Sequence, residues 1–323
     1  MSDTLPPVFD RLRLPVIGAP LFIISNPRLV IEQCKAGVVG SFPALNARPA
    51  SLLRDWLAEI TEELAAYDAK HPERPSAPFA VNQIVHRSNT RLEEDLATCV
   101  EFRVPIMITS LGAREDVNEA AHSVGTVVLH DVIDDRFARK AVSKGADGLI
   151  AVAAGAGGHA GVRSPFALVQ EIRQWFDGPL ALSGSIATGA GVLAARAMGA
   201  DFAYLGSAFI ATDEAAAKDE YKQAIVDGSS ADIVYSDLFT GVHGNYLAPS
   251  IRAAGLDPAN LPAGDVTTMD FGSGGTSDAK AWKDIWGSGQ GIGAVDAVVP
   301  VRDLVARLSD EYAAARDRLA LSA

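Results

Sequence analysis

Eight short apolar runs, each followed by a helical pattern, fill the chain to about residue 225 and constrain its fold more than any other feature. The runs are Pro15–Gly18, Val38–Ser41, Phe79–Asn82, Pro105–Thr109, Thr126–His130, Gly148–Val152, Pro179–Ser183 and Phe202–Leu205. Nearly all are continuously apolar rather than alternating, as strands are when helices bury both faces of a parallel sheet. Helices are expected between them over Pro27–Ala36, Ala50–Lys70, Arg91–Glu101, Asp116–Ser123, Asp135–Lys144, Pro165–Phe176 and Gly189–Met198. Ser25 or Asn26 caps the first and Gly37 closes it, while Leu53, Trp56, Leu57, Ile60 and Leu64 stripe one face of the second. Eight βα units in roughly 200 residues is the arithmetic of a (β/α)8 TIM barrel. A doubly wound sheet is the competing architecture, since periodicity does not say whether a sheet closes. Similar phrases at 144–147 and 198–201 each end a helix on Gly and open a strand, so two units share one design, and the barrel is preferred.

The pattern changes after residue 213. A charged helix is expected over Glu214–Asp227, then a stretch to Lys280 rich in Gly, Ser, Asp and Pro with no clear parallel strand. An amphipathic helix over Val301–Leu319 closes the chain. The expected division is a barrel over 1–213, a small cap or substrate domain over 214–284 and a segment over 285–323 returning to the barrel. Phe239, Tyr246, Trp282 and Trp286 give the cap enough apolar material to be ordered, without revealing its internal fold.

Composition narrows the partners. With 28 Lys and Arg against 40 Asp and Glu the net charge is −12, which argues against nucleic acid or an anionic membrane. It leaves room for a small anion, which backbone N–H groups hold without basic residues. Cys34 and Cys99 lie far apart, with no metal-ligand spacing, and read as small buried hydrophobes in a reducing compartment. The first ten residues lack the basic and apolar regions of a signal peptide, and no apolar run reaches the roughly 18–20 residues of a membrane span. A soluble cytoplasmic protein, monomer or homodimer, is expected.

In a barrel, chemistry sits just beyond the C-terminal ends of the strands. Ser183-Gly184-Ser185-Ile186 follows the seventh run and Gly206-Ser207 the eighth. Small residues at both places let backbone amides converge on an oxyanion beside a helix N-terminus, the recurrent phosphate site of this fold. After the sixth run, residues 153–161 present His159 on a loop of glycines. Gly155 to Ala160 fits the dinucleotide pattern G-x-G-x-x-A, but Arg163-Ser164-Pro165 postpones the helix that pattern requires, so the match is rejected. An imidazole in the barrel mouth can take a proton from an acidic C–H; on position alone, a surface-loop histidine is an equal reading. His86, His130 and His243 could each face the cavity, whereas His71 and His122 read as surface residues. No ligand spacing indicates a metal, and no G-x-S-x-G elbow indicates a serine hydrolase.

These residues together resemble the nitronate monooxygenase family, formerly 2-nitropropane dioxygenases. Residues 15–21 are similar to its opening PIIQAPM, 79–82 to FGVN, 155–161 to EAGGHRG, 182–187 to AGGIA and 205–209 to MGTRF. Phe239-Thr240-Gly241 is similar to its FTGRPAR and Gly289-Gln290-Gly291 to its late AGQ. The glycine-histidine motif is the most specific; the others occur in wider flavin barrels. The resemblance implies an FMN-dependent barrel with a small substrate domain and a small-molecule substrate. It puts Ala19, Pro20 and Leu21 along the isoalloxazine edge and Asn82 in a hydrogen bond to it. Gly184, Ser185, Gly206 and Ser207 would hold the phosphate, with Gly158 and Ser183 beside the cofactor and Gln290 and Gly291 closing over it. His159 would be the base toward a nitroalkane or its nitronate, which O2 and the flavin oxidise to a carbonyl compound and nitrite.

The chain departs from the family at several points. His130-Asp131 stands where Lys, Thr or Ser often approaches the flavin pyrimidine; either His130 supplies a positive partner or Asp131 points elsewhere. Thr109-Ser110-Leu111-Gly112 replaces a Phe/Gly-rich turn, Ser185 replaces a usual Gly, and no Arg follows Thr240-Gly241. Such changes touch substrate identity more than flavin binding. Other readings are an NAD(P)H-dependent reductase of quinones or enoyl thioesters, a non-catalytic FMN-binding protein, and a phosphosugar site on the same loops.

Overall fold

Eight parallel strands form one sheet that closes on itself. The computed structural model describes residues 5–264 and 284–320. The barrel strands are β1 (Val16–Gly18), β2 (Gly40–Pro43), β3 (Phe79–Ile84), β4 (Ile106–Ser110), β5 (Val127–Val132), β6 (Gly148–Val152), β8 (Leu180–Ser183) and β9 (Phe202–Leu205), with the short β7 (Gly158–His159) outside the ring. Their order is β1-β9-β8-β6-β5-β4-β3-β2. Closure comes where Ile17 bridges Val39 in parallel, Gly18 N–H donating to Val39 O at 2.8 Å and Val39 N–H to Val16 O at 3.1 Å. The doubly wound alternative is thereby excluded, and the fold is a (β/α)8 TIM barrel.

The helices between the strands are α1 (Pro27–Ala36), α2 (Leu52–Lys70), α3 (Leu92–Glu101), α4 (Glu115–His122), α5 (Asp135–Ser143), α6 (Pro165–Arg173), α7 (Gly189–Ala197) and α8 (Ser207–Ile210). Their starts follow local chemistry. Asn26, Asp134 and Thr188 each accept a backbone N–H in the first turn of α1, α5 and α7, and Gly37 at φ 92° ends α1 in the left-handed conformation that glycine adopts without a Cβ clash. The second strand lies two residues later than expected, because Val38 N–H bonds Gln33 O at the end of α1 and Val39 is used in closing the ring.

Side chains sort by the two-residue period of the strands. Ile17, Val39, Ala80, Ile108, Leu129, Ile150, Ala181 and Phe202 fill the barrel, with Phe9 against Phe202 beneath them. Val16, Val38, Leu149, Leu180 and Ala203 face the helices on one side of the molecule, and Val81, Met107 and Val128 on the other. The filled interior is a core and leaves chemistry to the mouth.

Beyond the barrel come α9 (Asp219–Val226), β10 (Ile233–Ser236), β11 (Gly244–Leu247), α10 (Ala248–Ala253) and α11 (Val301–Ala320). β10 and β11 form an antiparallel hairpin, and β7 joins its free edge, Gly244 opposite His159 and Asn245 opposite Gly158. The loop after the sixth barrel strand is thus stitched to a sheet contributed by the later chain. Tyr246, Ile251 and Ile285 pack with Val234, Phe239 and Leu261 as a small core of their own; Trp282, expected among these aromatics, lies outside the described residues. α11 packs along α7 so closely that a Cβ on Gly189 would sit 2.0 Å from Leu308 O, and Glu311 accepts the Gly189 N–H at 2.7 Å. Among the described residues no helix is long and apolar enough to cross a membrane.

Candidate active site

The inward face of the strands turns polar at their C-terminal ends. Ser41, Asn82, Ser110 and Ser183 are buried there with Tyr204, above the apolar filling. Asn82 donates to Ile108 O at 3.1 Å and to Ser110 Oγ at 3.0 Å. The loop after β1 is held by side chains: Asn46 donates to Leu21 O, Ser25 accepts from Leu21 N–H, and Ala19 N–H reaches Leu205 O at 2.7 Å. Pro20 is half-buried between them. A Cβ on Gly206 would lie 3.4 Å from Leu21 and 3.5 Å from Ala19, so the first and last loops of the ring are neighbours.

The two small-residue loops lie side by side on adjacent strands. Among the described residues nothing accepts the amide hydrogens of Gly184, Ile186, Gly206 or Ser207. Gly184 has φ 132°, and a Cβ there would meet Ala154 O at 2.8 Å. Ser185 takes φ 58°, a conformation that costs a non-glycine residue about 1–2 kcal/mol. Residues 287–291 are bonded to the last of these loops and to the glycine-histidine loop: Gly289 N–H donates to Ser207 Oγ at 2.8 Å and Gln290 N–H to Gly155 O at 2.9 Å. Contact is backbone on backbone, since a Cβ on Gly291 would be 2.9 Å from Ser185 C and one on Gly157 2.7 Å from Gly289 N. Ser288, not singled out in the sequence, approaches Ser207 Oγ at 3.4 Å through its own hydroxyl.

His159 enters this cluster on β7. Its Nε2 lies 3.0 Å from Thr240 Oγ1. The Thr240 hydroxyl donates to Val242 O at 2.9 Å and accepts Val242 N–H at 3.2 Å. A hydroxyl has one proton and two lone pairs. With the proton on Val242 O, the hydroxyl keeps a lone pair for Nε2, an arrangement that fits a ring with its hydrogen there. The Tyr246 hydroxyl is nearby, but outside hydrogen-bond geometry. Burial pushes the His159 pKa down to about 4, which keeps the ring neutral near pH 7. Asn245 Nδ2 fixes the same loop by donating to Ala156 O at 2.6 Å.

His130 is elsewhere. It pairs with Thr109 and Leu149 on the helix-facing side of the sheet, and its Nδ1 lies 2.6 Å from Thr109 Oγ1. Burial, and secondarily Lys140 of α5, holds its pKa down to about 4. It is therefore neither in the mouth nor a cation, contrary to its expected place beside the cofactor. The strand period explains this: the inward residue is its neighbour Asp131, paired with Ile150 of the barrel filling. Burial pushes Asp131 up to about 7, and its Oδ1 has no hydrogen-bond partner among the described residues. Of the other histidines, His86 bonds Ser88 at 2.8 Å, and exposed His243 stacks on Tyr235. His122 pairs with Asp147 at 2.9 Å on the surface. Among the described residues no group of His, Cys, Asp and Glu is arranged to hold a metal ion.

Comparison with known proteins identifies relatives of the whole chain. A nitronate monooxygenase from Paraburkholderia phytofirmans is 26% identical over 342 aligned positions, covering 92% of each chain. The structure of a nitroalkane oxidase from Streptomyces ansochromogenes superposes with a TM-score of 0.80 at 24% identity, over 97% of this chain and 100% of that one. FabK from Thermotoga maritima shares the fold with a TM-score of 0.76 at 22% identity, over 98% and 97%. Residues 9–311 match the family model described as nitronate monooxygenase, and the chain belongs to that family of flavin-dependent oxidoreductases.

Proposed function

We propose that this chain, with FMN, oxidises alkyl nitronates by O2 to carbonyl compounds and nitrite, and that His159 manages the substrate proton. The amides of Gly184, Ile186, Gly206 and Ser207, which have no acceptor among the described residues, fit a phosphate monoester. Gly184, Ser185, Gly206 and Ser207 would hold that phosphate. Ala19, Pro20, Leu21 and Asn82 would meet the ring, Gly158 and Ser183 would border it, and Gln290 and Gly291 would close the site. The bonding of residues 287–291 to Ser207 and Gly155, with Gly291 packed on Ser185, favours a mononucleotide that ends there over a dinucleotide that must pass beyond. When bound, FMN supplies the electron transfer between nitronate and oxygen.

The chain's own part is proton handling and positioning. Neutral His159, held by Thr240, would take the α-proton of a nitroalkane, or orient the nitronate once that proton is gone. The division into a barrel over 1–213, a cap over 214–284 and a returning segment over 285–323 accompanies this reading, because the cap brings Thr240 to a histidine carried by the barrel.

One observation carries the proposal: the loop that bears His159 and the two small-residue loops all meet the same segment, 287–291, at one end of the barrel. The test is oxygen uptake and nitrite release by flavin-replete protein given a short alkyl nitronate, with His159→Asn beside it. Uptake that falls sharply in the variant, at unchanged flavin content, supports the reading. Undiminished uptake removes His159 as the base, and none in the unmutated protein removes nitronate oxidation.

A further inference from the structure

We propose that Asp131 is a redox-linked proton site: its carboxyl takes up a proton when the bound flavin is reduced and returns it on reoxidation. The inference rests on the reading that a flavin binds in this mouth.

Asp131 is the last inward-facing residue of β5, in the polar layer with Asn82, Ser110, Ser183 and Tyr204. A carboxylate so placed ordinarily finds a cation or several N–H donors. Here, among the described residues, Asp131 is half-buried with Oδ1 enclosed and without a partner, and it makes no ion pair. Tyr204 of β9 is the titratable side chain close enough to interact with it; its hydroxyl is held well above its usual range by burial and secondarily by the Asp131 charge, so it stays neutral. From β4 and β3 the facing polar groups are Ser110 and Asn82, which carry no charge. His130, the adjacent imidazole, faces the opposite side of the sheet and is neutral. Nothing among these groups offsets a negative charge on Asp131.

Reduction adds charge to the same enclosure. Two electrons and one proton give the anionic reduced flavin; beside it, in a medium of low dielectric, an ionised Asp131 would be a like charge at close range. Proton uptake by the carboxylate removes that repulsion, so the balance becomes two electrons and two protons. The reductant in turnover is the nitronate, and in the test dithionite. Burial alone brings Asp131 to about 7, so uptake starts near neutrality and extends to higher pH as reduction raises its proton affinity further.

The experiment measures the midpoint potential of the flavin-bound protein from pH 6 to 10, unmutated and as Asp131→Asn. One extra proton per two electrons changes the reduction constant tenfold per pH unit, about 30 mV. The unmutated protein is expected to be steeper by that amount above pH 7, and the variant to lose the difference. Equal slopes overturn the proposal. Proton uptake on reduction of unbuffered, unmutated protein at pH 8 is the second measurement, for use if the variant folds poorly: about two protons per flavin support the proposal and one overturns it. Protein that binds no flavin on reconstitution overturns the underlying reading and this inference together, whereas bound flavin with equal slopes overturns only the inference.

Discussion

His159 Nε2 stands 3.0 Å from Thr240 Oγ1, across 81 residues of sequence, and the Thr240 hydroxyl spends its own proton on Val242 O. We expect this relationship to favour hydrogen on Nε2. Thr240→Ala should therefore lower kcat/KM for the nitroalkane by about 3–10-fold, the range of one hydrogen bond, and Thr240→Ser should restore most of it. Nitrogen NMR of the His159 ring checks the cause: the signals should report hydrogen on Nε2 in the unmutated protein and in Thr240→Ser, and a mixture of tautomers in Thr240→Ala.

Burial of His159 sets the acid limit of the reaction. The unperturbed imidazole titrates near pH 6.5, while this one is lowered to about 4. The basic form thus persists as pH falls through 6, and the acidic limb of kcat/KM should lie near pH 4. A limb near 6.5 would mean that His159 is solvated or paired with a carboxylate. His159→Asn should lower kcat/KM by about 10²–10⁴, the usual contribution of a general base.

The glycine at 184 should be irreplaceable for cofactor binding. Its φ of 132° and the carbonyl of Ala154 at 2.8 Å from any Cβ leave no room for alanine. Gly184→Ala should elute with little flavin and reconstitute poorly, as read by visible absorbance. Ser207→Ala removes the acceptor of Gly289 N–H and should weaken flavin binding by about 2–10-fold without abolishing it.

Asp131 also makes a stability prediction of definite sign. Its folded pKa is raised to about 7 from the usual 3.8, so it favours the folded state below pH 4, and that contribution is lost as pH rises through 7. Asp131→Asn should melt at a higher temperature than the unmutated apoprotein at pH 9, with the gap shrinking toward pH 5. A gap independent of pH would assign the effect to packing.

Much of the barrel was legible in the sequence because buried parallel strands announce themselves as apolar runs and helices by their caps. Asn26 and Gly37 bracket α1 as expected. The loops at Gly184 and Gly206 could be placed for the same reason, since they directly follow the last two barrel strands. Side-chain direction was harder. Reading His130 into the mouth and leaving Asp131 unassigned is a one-residue error of register, and with a period of two it exchanges inside for outside. The β10–β11 hairpin escaped because Ile233–Ser236 and Gly244–Leu247 are four residues each, too short for periodicity against a Gly-rich background. Thr240 was noticed for its motif, but its bond to His159 joins distant segments through β7 pairing and has no local signature.

The visible spectrum of the flavin-bound protein under anaerobic conditions tests the central claim most directly. Addition of an alkyl nitronate should bleach the flavin, and readmitted oxygen should restore it with release of nitrite. NADH should leave the spectrum unchanged. Bleaching by NADH together with inertness toward nitronate would contradict nitronate oxidation and make the chain a reductase built on the same barrel.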